Sequence, residues 1–526
     1  MALVTGTAEA DRLVGTGDDD TLTSSGTSDA SEWDEMIGRG GADTYDLYNI
    51  TGGTIKNFII DDRGTDGAFD RIVNAGALYQ SASLGYSAWA SAQRDGDDLV
   101  LHMPGKPHRF RDPARPEYNI RIVDHYGDAP VESITAGGVS YLLATGDIGS
   151  GQADIMAGTD AANIFDAKGG DDFVFGNGGA DKLSLGAGND TAFGGNGRDT
   201  ILAGGGNDRV YGGAGKDVIK GNAGHDWIYG EAGNDRIKGG DGADYLLGDT
   251  GRDRIWGGTG TDTLNGGQGD DRLLGGKEGD LYKFDLGEPG AGWGHDEIRD
   301  VGNKASYLNE DTIELRGLYG GSASTPGQAY AQVSFARDGL DMVISADGGA
   351  ATITVTDMFH DTHNRFFIEN LVFNGGYWEP LSFKFRDGAY ESIGDDRDIG
   401  DPFRPSIYNE VLFGTDGADT IFGGVGANFV WTGAGADVLI YERGDAGAHG
   451  DYTRAASNDI VEDFDVTQDI LDFREVETTF GGLTLGEDED GDATIFWSSG
   501  NIEEANILIE LRGVALADVT EDLFLF

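Results

Sequence analysis

Apolar and polar positions recur every nine residues through the middle of the chain. In "GGAGKDVIKGNAGHDWIYGEAGNDRIK" (212–238) the acids Asp217, Asp226 and Asp235 stand at the sixth position of three successive phrases. Ile219, Ile228 and Ile237 follow two residues later. The aliphatic row extends both ways through Val174, Leu183, a weak Ala192, Ile201, Val210, Leu246, Ile255, Leu264 and Leu273. Glycine fills most positions between them and lets the backbone take left-handed and open conformations at no steric cost. The three residues after each acid, such as Val-Ile-Lys, predict a minimal strand whose middle side chain points inward. Two turns and two strands close one coil, and stacked coils make two parallel sheets with the aliphatics between them.

The acids keep the same phase. Rungs fall at Asp154, Asn163, Asp172, Asp181, Asp190, Asp199, Asp208, Asp217, Asp226, Asp235, Asp244, Asp253, Asp262, Asp271 and Asp280. From 154 to 280 is 126 residues in 14 steps, hence 15 rungs, with Asn163 the one that is not Asp and Glu278 replacing a glycine near the end. The coil geometry predicts two columns of carboxylates along the edges of the roll, about 4.8 Å apart. Carboxylates at that spacing repel. Ca²⁺, which accepts six to eight oxygens from carboxylates and backbone carbonyls, removes the repulsion. If each ion bridges a turn to the one two further on, 15 rungs hold about 13 ions.

Shorter ladders lie towards both ends. Asp11 and Asp20 are nine apart, as are Asp34 and Asp43, and the five-residue slip between the pairs predicts an inserted loop. Asp419, Asn428 and Asp437 repeat the spacing. Each ladder is followed by alternating Val/Ile/Leu segments: "RDGDDLVLHM" (94–103), "YNIRIVDHY" (118–126) and "VESITAGG" (131–138); then "RDGLDMVIS" (337–345), "ATITVTDMF" (351–359) and "IENLVFNGG" (368–376); then "DATIFW" (492–497) and "ILIELRGV" (507–514). Period-two alternation between turn residues predicts antiparallel strands. The expectation is an all-β chain with three rounds of roll plus β-tail: 1–148; 149–385, with the central roll at about 151–284; and 386–526. The last boundary follows a polar linker (386–408) that carries Pro402 and Pro405.

Composition narrows the function. Of 526 residues, 89 are Gly, and 93 acids against 37 bases give a formal charge of −56. Such a chain is a poor partner for nucleic acid or anionic membranes and a good one for cations. The absence of cysteine rules out disulfides and thiolate metal sites. The N-terminus has no basic and apolar segments of a Sec signal. No run approaches the roughly 18 apolar residues of a membrane helix.

The phrase matches G-G-x-G-x-D-x-U-x, the calcium-binding signature of RTX (haemolysin-type) proteins, and the sequence resembles that family. The resemblance implies a parallel β-roll, calcium as cofactor, export by a type I secretion apparatus and folding in calcium-rich extracellular medium. "DIVEDFDVTQDILDF" (459–473) resembles the segment that ends the roll in secreted RTX proteases, which implies that Asp463 and Asp469 sit near a last calcium. The terminal "DVTEDLFLF" resembles an uncleaved type I secretion signal.

A catalytic constellation is harder to find. H-E-x-x-H and G-x-S-x-G are absent. "DMFHDTHNRF" groups Asp357, His360, Asp361 and His363, residue types that bind transition metals but also make ordinary polar loops. Arg109, Arg111 and Arg115 form a small basic loop, a candidate dock for acidic cell-surface polysaccharide. His225, in a turn, reads as neutral to function. The recognisable modules are scaffold, so the expectation is a secreted, calcium-dependent structural or surface-layer protein that self-associates. The alternatives are an extracellular polysaccharide-active enzyme with its site on a β-tail, and an adhesin.

Overall fold

The computed structural model describes residues 146–285 without a break and most of 457–526; elsewhere it describes mainly strands and a few flanking residues. The chain divides into two compact units, Met1–Asp262 and Thr263–Phe526. It is all-β, with long parallel sheets of a β-roll, and among the described residues no helix is long and apolar enough to cross a membrane.

In the first unit one sheet of the roll stacks Phe173–Phe175, Thr191–Gly197, Arg209–Gly215, Trp227–Gly233 and Tyr245–Leu247 in parallel. The other stacks Ile164–Asp166, Lys182–Ala187, Thr200–Gly205, Val218–Ala223, Arg236–Asp241 and Arg254–Thr259. Partners are 18 residues apart, so the nonapeptide phase becomes lateral register. Val210 faces Ile228 and then Leu246. Ile201 faces Ile219, Ile237 and Ile255. These side chains are 0–1% exposed and form the core between the sheets. Each contributes about 1.5–3 kcal/mol by leaving water. Outside the first sheet, Phe175, Phe193, Tyr211 and Tyr229 stack ring on ring at 4.9–5.1 Å.

Strands in the roll outrun the three residues expected. Arg209–Gly215 has seven and stays in register with Trp227–Gly233 through the glycines, Gly213 opposite Glu231. The turns therefore stack as tightly as the strands. Gly213, at the second position of its phrase, has φ 99°, and a Cβ there would stand 2.0 Å from the Gly195 carbonyl oxygen. Lys168, Asn177, Asn222, Glu231 and Asp249 occupy the same position with φ of 68–77°, a strain that glycine avoids.

The flanking segments are strands that pair antiparallel with one another, as expected, and each group is joined to the roll by a parallel strand. In the first unit Lys56–Asp62 pairs in parallel with Asp34–Gly38 and with Tyr118–Val123; only then does the chain turn antiparallel, through Asp98–Met103 to Ser91–Asp95. Arg71–Ala75 likewise takes Ser133–Ala136 in parallel, which pairs antiparallel with Val139–Leu143, itself parallel to Asp154–Ala157. The second unit repeats the plan. His295–Ile298 takes Ala351–Val355 in parallel, followed by antiparallel Asp341–Ala346 and Val333–Asp338. Thr312–Arg316 takes Asn370–Asn374, then antiparallel Leu381–Asp387. In the third round Ser457–Val461 takes Asn506–Leu511, then antiparallel Ala493–Ser498 and Thr484–Glu487. The cause is the open edge that the last coil presents: its unpaired N–H and C=O groups accept another parallel strand before a hairpin closes the sheet.

Candidate metal centre

From Asp172 to Asp280 the aspartates stand at the turns, one residue before a strand, and their side chains are buried. Asp172, Asp190, Asp208 and Asp226 are fully buried. Each carboxylate is held by the turn one coil earlier. Oδ1 of Asp172 accepts the backbone N–H of Asp154 at 2.7 Å, and the bond repeats from Asp172 to Asp190, Asp190 to Asp208, Asp208 to Asp226, Asp226 to Asp244 and Asp244 to Asp262, at 2.8–2.9 Å. The second column runs from Asn163 to Asp181, Asp199, Asp217, Asp235 and Asp253 at 2.6–2.8 Å.

The other oxygen is the chemical point of the site. From Asp172 to Asp244, nine successive rungs keep Oδ2 buried without a hydrogen-bond partner. A buried, uncompensated carboxylate is costly. Burial accordingly pushes Asp172 up to about 8, Asp208 and Asp235 to about 7, and Asp181, Asp190, Asp217 and Asp244 to about 6, from an ordinary 3.8, against the backbone bond that lowers each. Asp199 and Asp226 are raised for the same reason. The first glycine of each phrase leaves a cradle at this oxygen. A Cβ on Gly221 would stand 2.1 Å from Asp226 Oδ2 and 2.7 Å from the Gly239 carbonyl oxygen. Gly212, Gly230 and Gly239 repeat the arrangement with Asp217, Asp235 and Asp244. An anionic oxygen and a carbonyl oxygen among the nearest atoms of each cradle fit a hard divalent cation.

The first rungs differ. Asp154 Oδ2 accepts the N–H of Ser150 at 2.6 Å and its hydroxyl at 2.9 Å, and Asp20 Oδ2 accepts the same pair from Thr16 at 2.5 and 2.8 Å. Asn163 Oδ1 accepts from Thr159 N–H. Ser or Thr at the second position of the phrase thus occupies the oxygen that is left orphaned further along.

The short ladders show the same Oδ1 bond across longer coils. Asp43 holds Asp20 N–H over 23 residues, the 18 of a regular coil plus the five-residue slip. Asp34 and Asp43 are fully buried. Asp469 Oδ1 accepts from buried Asp437, and its Oδ2 from Asp465. Asp463 accepts from Thr432 and Gly433 N–H, and the Thr432 hydroxyl contacts both Asp463 and Asp469, so the sequence-predicted pair does converge. Asp11 and Asp419 lie outside the described residues, as do Asn428, Asp357, His360, Asp361, His363, Arg109, Arg111 and Arg115.

Two buried rungs were missed. In the second unit Asp271 N–H reaches Asp296 Oδ1 at 2.8 Å and Asp280 N–H reaches Asp311 Oδ1 at 2.7 Å. Coils of 25 and 31 residues hide them from a search at nine, although the aliphatic two residues on, Ile298 and Ile313, keeps the pattern. His225, in a turn, has a structural part. Its Nδ1 accepts the Ala243 N–H at 2.8 Å, and its own N–H goes to Asn207 Oδ1, within a surface ladder that runs from Asp171 through Asn189. Asp488, Asp492 and Glu510 bring carboxylate oxygens within 4.8 Å of one another, but Arg512 already pairs with Glu510 there.

With this geometry in place, comparison with known proteins is direct. The chain matches the family described as RTX calcium-binding nonapeptide repeat at 4–30, at 148–282 in overlapping segments, and at 406–445. It carries RTX calcium-binding nonapeptide repeats in several copies along its length, and such repeats bind calcium. Among solved structures it is similar to the extracellular lipase LipA from Serratia marcescens, with 14% identity, 59% of this chain and 45% of the lipase covered, and a TM-score of 0.17. The chain thus spans under half of that protein. No curated protein matches.

Proposed function

We propose that this is a secreted structural protein whose folding is driven by calcium and whose loaded form assembles at the cell surface or in the extracellular matrix. The observation that carries the reading is the run of nine buried Oδ2 atoms without a hydrogen-bond partner. Bound calcium would supply the positive charge that these oxygens lack. The protein's own part is to hold each carboxylate by its Oδ1 bond, to keep Oδ2 and a glycine carbonyl one coil on around the cradle that the first glycine leaves, and to bury both with the aliphatic row. The central rungs Asp154, Asp172, Asp181, Asp190, Asp199, Asp208, Asp217, Asp226, Asp235, Asp244, Asp253, Asp262, Asp271 and Asp280 hold about 13 ions on this reading. Asp11, Asp20, Asp34, Asp43, Asp419, Asp437, Asp463 and Asp469 serve the shorter ladders.

Extracellular location and type I export fit the same chemistry, because extracellular calcium modules bind at roughly 10⁻⁴ to 10⁻³ M, far above cytosolic calcium. Circular dichroism in chelator should show loss of β-signal that millimolar Ca²⁺ restores, and equilibrium dialysis should count about 13 ions in the central roll. A spectrum indifferent to chelator would sink the reading.

A further inference from the structure

The outward face of one sheet of the roll carries cations that calcium binding does not use. In Val218–Ala223, Arg236–Asp241 and Arg254–Thr259 the first and third strand residues point out and the second points into the core. Parallel register sets Lys220 beside Lys238 and Trp256 next in that row; it sets Arg236 beside Arg254 in the other. All four cations are exposed, and Trp256 is half-buried with Lys238 Nζ 5.2 Å from its ring centroid. Like charges on neighbouring strands destabilise a sheet. This chain has 93 acids with which to pair them, yet none of the four forms an ion pair with a carboxylate among the described residues. The one acid in these three strands is Asp241, at the turn end, where it accepts the Thr259 hydroxyl. The other sheet shows a row of stacked aromatics instead.

We propose that this face binds a linear acidic polysaccharide laid along the roll axis. The two rows present a cation at each strand, about 4.8 Å apart, and take the carboxylates of successive uronate sugars. Trp256, half-buried with Lys238 over its ring, offers the rest of its indole as a flat apolar surface to a sugar ring. Duplex DNA, with one charge per about 1.7 Å, would be repelled far more strongly by a chain of charge −56. The inference deepens the extracellular reading above and needs the roll folded, but it does not depend on how many ions the roll holds.

Full-length protein in millimolar calcium is titrated with short oligogalacturonate, with neutral dextran oligosaccharide as the control. Binding should be saturable, absent for dextran and weakened by added salt. Replacing all four cations, Lys220→Thr, Arg236→Thr, Lys238→Thr and Arg254→Thr, should weaken it about ten-fold or more. The exchange Lys220→Arg, Arg236→Lys, Lys238→Arg and Arg254→Lys should retain it, and Trp256→Thr should weaken it without altering the salt dependence. The pair Arg236→Thr and Arg254→Thr alone gives a partial loss, and serves if the fourfold variant misfolds. Equal binding by the charge-depleted variants, equal binding of dextran, or tighter binding of duplex DNA overturns the proposal. So does loss of self-association in those variants with no uronate binding by wild type, which would make the face a contact between copies. Calcium-dependent folding is judged separately, by circular dichroism without oligosaccharide.

Discussion

At the scale of the residue, the two oxygens of one carboxylate have separate work. Oδ1 of Asp226 closes a backbone bond that any amide oxygen could also close; Oδ2 is the atom in need of a cation. Asp226→Asn keeps the first and removes the charge of the second. It should therefore lose one or two calcium ions and lower the melting temperature in calcium, yet keep more β-signal in chelator, where no unpaired charge remains to be buried. Melting curves in calcium and circular dichroism in chelator check the sign reversal. The pH dependence follows from the same atoms. In the metal-free fold burial raises these carboxyls, from Asp181 and its like at about 6 to Asp172 at about 8. A folded-state value raised above the ordinary 3.8 means that protonation favours the fold. That stability is fully present below about pH 4 and is lost as pH rises through about 6 to 8. In chelator the roll should keep more β-signal at pH 5 than at pH 8. In calcium the order should reverse, because protons compete with the cation for Oδ2. None of this division between oxygens is legible in the sequence. The phase of the acids is, because Asp at a fixed offset from glycine and isoleucine repeats without a slip from Asp172 to Asp280.

At the scale of the element, one coil is a glycine cradle, a carboxylate and an inward aliphatic, and each part fails differently. Gly221→Ala would put a methyl group 2.1 Å from Asp226 Oδ2, at a glycine whose φ is not in the left-handed region. It should cost the ion of that coil while the neighbouring coils stay loaded. Gly205→Ala meets nothing within 4 Å and should leave both the calcium count and the melting temperature unchanged. Ile228→Asp places an unpaired charge where the native side chain is fully buried, and should cost about 3–5 kcal/mol in any buffer. Calcium titration and thermal melts of the three variants separate a blocked site from a broken core. If Ile228→Asp melts like wild type, the inward row is assigned wrongly. The inward row was legible because a period of nine with one aliphatic per phrase leaves a three-residue strand only one side chain to bury. The antiparallel pairing within the flanking segments was legible too, but their parallel join to the roll was not. Alternation in "ATITVTDMF" gives a strand with two faces, but says nothing of a second neighbour, His295–Ile298 in parallel, beside Asp341–Ala346 in antiparallel sense. Asp296 and Asp311 were hidden for a related reason: the rung bond tolerates an insertion between its partners, and a fixed-period search does not.

At the scale of the whole molecule the governing quantity is charge. At −56 the metal-free chain repels itself. About 13 bound ions would cancel roughly 26 of those charges. The loaded protein would remain acidic, so further calcium can bridge copies, and assembly should rise with calcium beyond the point at which the roll is full. On the reading proposed above, export would belong to the same balance, since a chain without calcium lacks the charge compensation that its buried rungs need. Truncation is a poor test of export here. Removing 517–526 would also take Val519, Leu523 and Phe524 out of a buried cluster that includes Leu471 and Phe473. A substitution at Phe526, which is 39% exposed, is the cleaner probe. The assembly prediction is tested by sedimentation and negative-stain imaging of the full-length protein across a calcium series, with chelator added last. Dispersed protein should give way to ordered assemblies above the calcium concentration that completes the circular dichroism change, and chelator should dissolve them. Folding that completes at one calcium concentration and assembly that needs a higher one would mark two classes of ion, those inside the columns and those between molecules. A protein that stays monomeric at every calcium concentration and depolymerises a polysaccharide would instead place its function on one of the β-tails and leave the roll as their support.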